Sequence, residues 1–170
     1  MLIGILSDTH DRAEMMAAAI ALLRQKNAEF FVHCGDVGNE HVLDHLAGLQ
    51  AAFIWGNNDW DRIALERYAQ QIGVGCYGSQ ADLMLAGKRF AVIHGDDLRL
   101  RQRLLDSQEY DYLLQGHTHV KFDGRVGRTR IINPGALHRA KPKTVAMLDT
   151  ESDRLEFLEV PTIHMDAERS

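Results

Sequence analysis

Five apolar segments of this chain each end in side chains with acid, imidazole or amide groups, and this repeated pattern constrains the fold most strongly. Short runs rich in branched apolar residues are typical of buried strands. Ligands in open α/β folds collect at the carboxyl ends of such strands. We therefore expect the polar side chains that follow these segments to meet in one crevice. They are Asp8 and His10, Asp36, Asn57, His94, and His117 with His119.

The order of the apolar patterns predicts an α/β architecture with two parts. In the first half, strand patterns alternate with helix patterns, and helices are expected over 11–26, after Asn39 and over 61–71. Asp11 followed by Glu14 predicts a capping box for the first helix, and Asn39 predicts an N-cap for the second. The second half contains three predicted hairpins and one helix. Such a chain is expected to form two β-sheets stacked face to face, with helices on the outside.

Length and composition indicate a single globular domain. The chain has 170 residues, of which 45% are hydrophobic, and this size supports one sizeable core. We expect the domain to span residues 1–160 and a polar tail to occupy 161–170. The apolar run from Leu2 to Leu6 is far too short to cross a bilayer, so no membrane association is expected.

Charge and cysteine content bear on the partners and the compartment. The formal net charge is -5 with the histidines neutral, whereas a surface for duplex nucleic acid usually needs a basic stripe. A small phosphorylated substrate stays compatible, because bound metal ions would supply positive charge. Cys34 and Cys76 lack the paired spacing of a disulfide framework, so a reducing, cytoplasmic location is expected.

Most of the polar positions also have an ordinary structural explanation when they are taken alone, although the pair His117 and His119 is harder to explain in that way. A single histidine such as His94 is more often a hydrogen-bonded core residue. Asp36 fits a turn in which the side chain bonds its own backbone, and the stretch 56–59 fits a turn as well. The combination is far more specific, because histidine, carboxylate and amide ligands together suit divalent manganese, iron, zinc, nickel or cobalt. The scarcity of cysteine argues against a structural zinc site.

The order and spacing of five sequence blocks resemble those of the calcineurin-like metallophosphoesterase superfamily. The blocks are Asp8-Thr9-His10, Gly35-Asp36, Gly56-Asn57-Asn58-Asp59, His94-Gly95 and Gly116-His117-Thr118-His119. The chain length and the Asn133-Pro134-Gly135 segment are similar to those of the small prokaryotic phosphodiesterase branch. The resemblance runs from residue 3 to about residue 160. It implies a four-layer α/β fold, in which two stacked mixed β-sheets are flanked by helices.

The resemblance also implies a site for two divalent transition-metal ions, with manganese as the first choice and iron, zinc, nickel or cobalt as alternatives. By position in the motifs, the ligands of the first ion are Asp8, His10 and His119, and those of the second are Asn57, His94 and His117. Asp36 bridges the two ions and is therefore counted with the catalytic residues. A hydroxide held between the ions attacks phosphorus in line with the leaving oxygen. The implied function is that of a metal-dependent phosphodiesterase.

Two positions depart from the family pattern. Asn58, the second candidate catalytic position, stands where the family usually has a histidine that protonates the leaving group. An amide is no acid near neutral pH, and a missing general acid typically costs about 10²–10⁴ in rate for poor leaving groups. Asn39 stands where the second block often has a further aspartate, and we interpret it as a helix cap. His138 and His41 are the other candidates for a proton donor.

Two alternative functions stay open at this point. A catalytically weak scaffold for protein–protein interaction is one, because the small retromer subunit is similar in fold, keeps most ligand positions and binds partner proteins. A nucleotide polyphosphatase or protein phosphatase is the other, but such members usually carry Asp-Arg-Gly where this chain has Val37-Gly38-Asn39. The sequence does not decide the physiological substrate, the native metal or whether the chain forms homo-oligomers.

Overall fold

The computed structural model, which describes residues 1–161, contains eleven strands and four α-helices. The strands in chain order are β1 (Leu2–Leu6), β2 (Phe30–His33), β3 (Ala51–Phe53), β4 (Gly75–Cys76), β5 (Gln80–Leu85), β6 (Lys88–Ile93), β7 (Tyr112–Leu114), β8 (Phe122–Val126), β9 (Thr129–Asn133), β10 (Thr144–Asp149) and β11 (Arg154–Glu159). The helices are α1 (Ala13–Gln25), α2 (Glu40–Leu43), α3 (Arg62–Ile72) and α4 (Leu98–Ser107). A turn of 3₁₀ helix, Asp44–Leu46, follows α2.

The strands form two mixed sheets. The first sheet has the order β11-β10-β1-β2-β3-β4, and the strands from β1 to β4 run parallel. The hairpin of β10 and β11 completes this sheet by pairing antiparallel with β1, so that Leu2 lies opposite Asp149. The second sheet has the order β5-β6-β7-β9-β8, with a parallel centre and an antiparallel strand at each edge.

Three apolar layers hold the sheets and helices together. The layer between the sheets includes Ile5, Val32 and the stacked rings of Phe90 and Tyr112, whose centroids lie 4.6 Å apart. Helices α1, α2 and α3 cover the outer face of the first sheet, and α4 covers that of the second. Burial of apolar surface is the main stabilising contribution to such packing. The predicted fold class, two mixed sheets flanked by helices, is confirmed.

The loops that follow the central parallel strands meet at one edge of the sandwich. The loop after β1 bonds to the loop after β2, since Asp8 N donates to Gly35 O at 3.0 Å. The loops after β6 and β7 are joined by a bond from Gly116 N to His94 O at 2.8 Å. His94 Nδ1 links the two sheets, at 2.9 Å from the carbonyl oxygen of Cys34. The topology therefore gathers at one place the loops in which the sequence places its polar side chains.

The capping predicted from the sequence is wrong for α1 and correct for α2. The capping box predicted for α1 is wrong: the helix begins after Arg12, and no described side chain caps it. The reason is that Asp11 adopts left-handed backbone geometry, with φ of 63°. The N-cap predicted at Asn39 is confirmed, because its side chain accepts a bond from Val42 N at 3.3 Å.

The remaining expectations concern the C-terminus and the membrane. The predicted tail, 161–170, lies outside the described residues except for Pro161. In the described part of the chain, no helix combines the length and the apolar character that crossing a membrane requires. The longest of these helices, α1, has 13 residues, whereas about 20 are needed to span a bilayer.

His33 links the stability of this fold to pH. Its side chain is fully buried at the end of β2, with Nε2 2.8 Å from the hydroxyl oxygen of Thr9. Burial is the main cause that lowers the pKa of His33, to about 3 from the usual 6.5. Because the pKa is lower in the folded state, the stability that neutral His33 contributes is present above about pH 6.5 and is lost as pH falls toward 3.

Substitution of His33 should therefore make the fold less sensitive to acid. We expect His33→Gln, which keeps a hydrogen-bonding partner for Thr9, to lose less unfolding free energy than the wild-type chain between neutral pH and about pH 5. Urea unfolding at both pH values, in the presence of a chelator, measures the difference. Equal losses in the two proteins would show that His33 does not carry this acid sensitivity.

Candidate metal centre

Two buried aspartates, Asp8 and Asp36, form the centre of the cluster at the loop edge. The Nε2 atoms of three histidines approach their carboxylates. His119 lies 3.2 Å from Asp8 Oδ1, and His10 and His94 lie 3.4 Å and 3.2 Å from Asp36 Oδ2. Residues that are far apart in the chain, on loops from both sheets, therefore face one another across a few ångströms.

Asn57 and His117 lie at the solvent-exposed side of the same cluster. Asn57 Oδ1 is 3.1 Å from His117 Nδ1, and the ring of His117 lies 5.2 Å from that of His94, edge to face. The backbone N–H of His117 donates to Asp8 Oδ2 at 3.0 Å. The structure thus brings all seven residues named from the sequence into one group.

Within the described part of the chain, three potential metal-ligand atoms of the cluster are buried without a hydrogen-bond partner: Asp8 Oδ1, His10 Nε2 and His94 Nε2. An unpaired buried polar atom costs about 1–3 kcal/mol, so their convergence calls for a compensating ligand. Two groups of donor atoms lie within 4.8 Å of one another, namely Asp8 with His10 and His119, and Asp8 with Asp36 and His94. Carboxylate oxygens and imidazole nitrogens at this spacing fit a divalent transition-metal ion.

The hydrogen bonds of His94 decide which of its nitrogens faces the cluster. A carbonyl oxygen only accepts, so Nδ1 donates to Cys34 O, and Nε2 is left to face the carboxylates. Burial acts to lower the pKa of His94, but the adjacent Asp36 carboxylate, the bond to the Cys34 carbonyl and the charge of Asp8 raise it to about 9. A cation held there takes the place of that proton, so metal binding should release protons.

The two central carboxylates have different environments. Burial is the main influence on the pKa of Asp8 and raises it, while a bond from Ser7 and the nearby histidines oppose this shift. Burial also acts to raise the pKa of Asp36, but the adjacent His94 imidazole and the hydrogen bonds from Asn58 outweigh it and lower the pKa. Asp36 therefore keeps its negative charge inside the cluster, which favours a bound cation.

Five of the seven side chains are presented by residues in the left-handed backbone region. The φ angles are 55° for Asp8, 45° for His10, 55° for Asp36, 66° for His117 and 59° for His119. Aspartate and histidine adopt such angles more readily than most residues, but each still costs about 1–3 kcal/mol. Strained residues cluster in this way at functional sites, where the surrounding bonds hold them in place.

Two glycines allow the backbone to approach the aspartates closely. A Cβ atom at Gly56 would lie 2.1 Å from Asp36 Oδ1 and 2.3 Å from Asp36 N. A Cβ atom at Gly116 would lie 1.8 Å from Ser7 Oγ and 2.7 Å from Asp8 Oδ2. A larger residue at either position would displace a carboxylate or its supporting loop, so both glycines are needed for the geometry.

Two buried polar residues outside the predicted ligand set hold the site loops together. Asp59 accepts hydrogen bonds from Gly38 N at 2.8 Å and from Gly56 N at 2.7 Å, which ties the loop after β2 to the loop after β3. Asn133 donates from its amide to Gly116 O at 2.8 Å. Both residues lie in sequence segments that resemble those of the family, which could have marked them as part of the site. The sequence does not show to which backbone groups their side chains are hydrogen-bonded.

The candidate proton donors have different surroundings. Asn58 donates from its backbone N–H and from its side-chain amide to Asp36, each at 2.8 Å, so its side chain supports the carboxylate. His138 lies beside the cluster, with its ring 5.2 Å from that of His10. His41 instead faces Asp44, 3.6 Å away. Of the two histidines, His138 is the one that contacts the cluster.

Residues 1–153 match the calcineurin-like phosphoesterase superfamily domain. The chain therefore belongs to the calcineurin-like phosphoesterase superfamily, a class of phosphoric ester hydrolases that use divalent metal ions. The four-layer fold and the cluster of acid, imidazole and amide ligands at its loop edge agree with this membership.

Particular relatives share most of the chain. A phosphodiesterase of Methanocaldococcus jannaschii is 30% identical over 165 residues, which cover 94% of this chain and 98% of that protein. A solved structure of a novel archaeal phosphodiesterase is similar with a TM-score of 0.87 at 27% identity, over 94% of this chain and 99% of that one. A Vps29 structure from Entamoeba histolytica has a TM-score of 0.63 at 18% identity, over 95% of this chain and 100% of that one. At that identity the likeness concerns the fold alone.

Removing the Asp59 carboxylate should weaken metal binding. Asp59→Ala leaves Gly38 N and Gly56 N without their shared partner, so the two loops are no longer fixed against each other. We expect the affinity for Mn²⁺ to fall about 10–100-fold, as for other residues that orient metal ligands. Isothermal titration calorimetry measures this, with Asp106→Ala, which removes an exposed carboxylate on α4, as the control. Unchanged affinity in a folded Asp59→Ala protein would contradict the role.

Proposed function

We propose that the protein hydrolyses phosphodiesters with two divalent metal ions, for which manganese is the first choice. In this proposal the first ion is held by Asp8, His10 and His119, the second by Asn57, His94 and His117, and both by Asp36. The observation that carries the proposal is the convergence of buried ligand atoms, oxygen and nitrogen, that lack hydrogen-bond partners among the described residues. Similarity to the phosphodiesterase of M. jannaschii supports the reaction class.

The donor set fits the proposed ions in type and in position. One of the two donor groups in the cluster matches the proposed first ligand set without change. The other contains Asp36 and His94 from the second set, and Asn57 and His117 lie bonded to each other beside it. Imidazoles are neutral ligands, so the aspartates neutralise only part of the charge of two divalent ions. The centre would therefore attract an anionic phosphodiester.

The residues of the chain would position the reactants. Bound divalent ions supply positive charge to the phosphate oxygens and lower the pKa of an attacking water molecule. Asp36 is held by two bonds from Asn58, which keep its carboxylate fixed beside the imidazoles. Asn57 and His117 are exposed, so they lie on the side from which a phosphate can enter. Groups fixed in this way before the substrate arrives lower the entropic part of the barrier.

The residue at position 58 bears on the preferred leaving group. An amide does not release a proton near neutral pH, and the side chain of Asn58 is engaged with Asp36. Aryl-like leaving groups are acidic and need little protonation, whereas alkyl leaving groups depend on it. The proposal therefore favours diesters with acidic leaving groups over alkyl diesters and ordinary monoesters.

Hydrolysis of bis(p-nitrophenyl) phosphate with added Mn²⁺ tests the proposal. We expect turnover that requires the metal and stops when a chelator is added. Asp36→Asn should lower kcat/KM at least about a hundredfold, because it removes the charge that both ions share. Asp106→Asn, which changes an exposed carboxylate on α4, should leave the rate unchanged. Rates that neither the chelator nor Asp36→Asn affects would overturn the proposal and favour a non-catalytic scaffold.

The two alternatives have weaker support. For the scaffold, the likeness to Vps29 concerns the fold alone, and the seven ligand residues expected from the family are all present. For a nucleotide polyphosphatase or protein phosphatase, the chain lacks both the Asp-Arg-Gly sequence after Asp36 and a histidine at position 58. Rates on an aryl diester, an aryl monoester and a nucleoside triphosphate, measured side by side, rank the three functions.

An imidazole at position 58 should widen the range of leaving groups. In Asn58→His the new side chain can protonate a poor leaving group, so we expect hydrolysis of a dialkyl phosphate such as dimethyl phosphate to rise at least about tenfold. Hydrolysis of bis(p-nitrophenyl) phosphate, whose leaving group needs little help, should change less than about twofold. Asn58→Gln, which keeps an amide, is the control. Equal increases on both substrates would mean that the histidine does not act as the acid.

A further inference from the structure

Two cavities border the metal centre, and each has one imidazole of the cluster in its wall. The smaller, of about 200 Å³, is lined in part by His94, and the larger, of about 430 Å³, is lined in part by His119. The Nε2 atoms of these two histidines lie 4.0 Å and 3.2 Å from Asp8 Oδ1. A phosphodiester bound at the centre can therefore direct one organic group to each cavity.

The smaller cavity offers little to an anion. Arg62 lies in its wall, but its guanidinium already donates to the carbonyl oxygens of Gly56 and Asp59, at 3.1 Å and 3.2 Å. Asp96 and Asp97 add two carboxylates to the same wall, and that of Asp97 also accepts bonds from Arg99 N and Leu100 N at 2.9 Å. These carboxylates repel a negative group, so the smaller cavity suits a neutral one.

The larger cavity has the opposite character. Lys121, Arg139 and Lys141 line it, and no described residue of its wall is acidic. Among residues 1–161, none of these three side chains lies within ion-pair distance of a carboxylate. The ammonium of Lys121 also lies 5.7 Å from the centroid of the Phe157 ring. Three positive charges without a carboxylate partner among these residues are a local reversal in a chain whose net charge is -5. Such a concentration of one sign raises the local concentration of ligands with the other sign.

We propose that the larger cavity binds a second anionic group of the substrate, so that the substrate is a phosphodiester with a further phosphate on one of its organic groups. This inference rests on the proposed phosphodiesterase function. A phosphate monoester suits the three cations because it carries close to two negative charges at neutral pH. Arginine binds phosphate oxygens through two N–H groups, and lysine contributes a mobile point charge.

The size and the position of the cavity agree with this assignment. A volume of about 430 Å³ is in the range of small-molecule sites and leaves room for the group that links the two phosphates. His119 belongs both to the cavity wall and to the metal cluster, so the second phosphate binds one side chain away from the reacting one. The substrate would then be held in a single orientation, with its neutral group toward His94.

Two nucleoside p-nitrophenyl phosphodiesters that differ only by a further phosphate on the sugar test the proposal. With manganese-loaded wild-type protein, we expect a KM about tenfold lower for the phosphorylated probe, as for three weak, solvent-exposed ion pairs together. The kcat values should be similar, because the phosphate that reacts is the same. The preference should shrink at high salt, which screens exposed charges.

Matched variants assign the preference to the cavity. In Arg139→Gln/Lys141→Gln the preference should fall below about twofold, because KM rises far more for the phosphorylated probe than for the unphosphorylated one. Arg67→Gln/Lys88→Gln removes the same charge from exposed positions outside the cavity and should keep the preference. The proposal is overturned by equal KM values for the two probes in the wild-type protein. It is also overturned by a preference that survives in the cavity variant or disappears in both variants alike.

A binding measurement separates this proposal from the proposed function. Calorimetry with a nucleoside bisphosphate and the corresponding monophosphate reports the cavity without any turnover. Tighter binding of the bisphosphate that is lost in Arg139→Gln/Lys141→Gln supports the cavity, even if neither diester is hydrolysed. Equal binding of the two nucleotides, in a protein that does hydrolyse diesters, refutes the cavity and leaves the proposed function standing.

Discussion

A pair of carboxylates held inside the protein is the constraint on which the rest of the structure depends. Asp8 and Asp36 have exposed fractions of 0% and 2%, and water cannot solvate charges at such positions. Hydrogen bonds from the backbone N–H of His117 and from Asn58 offset part of this cost. Buried imidazole nitrogens without described partners face the same oxygens. A cation satisfies both kinds of group at once, which explains why glycines, strained backbone and the Asp59 bonds converge here.

The sequence predicted most of the fold and which side chains gather at the loop edge, because both follow from short-range patterns. Asp36 and His94 each follow a buried apolar run, and the rule that ligands collect at strand ends was enough to place them together. The sequence could not predict the left-handed backbone at Asp11, which removed the expected capping box. It also did not predict β4, since Gly75–Cys76 is too short for a periodic pattern. The sequence predicted the hairpin of β10 and β11 but not the pairing of β10 with β1, because that pairing joins distant parts of the chain.

The distribution of charge explains how an acidic chain can act on anionic substrates. In the function proposed above, positive charge is supplied locally, by metal ions at the cluster and by the basic wall that contains Arg139 and Lys141. Elsewhere, arginines such as Arg89 and Arg130 are neutralised by acidic neighbours and serve the fold.

The central place of β1 in the first sheet has a consequence for how the chain is made. On one side β1 pairs with β2, which is synthesised soon after it, but on the other side Leu2 pairs with Asp149. This strand therefore keeps one open edge until the chain has been translated past residue 149. Pairing over such a distance slows folding, and an open edge is prone to aggregate in the meantime. Nascent chains that stop before residue 144, where β10 begins, would keep that edge for as long as they exist.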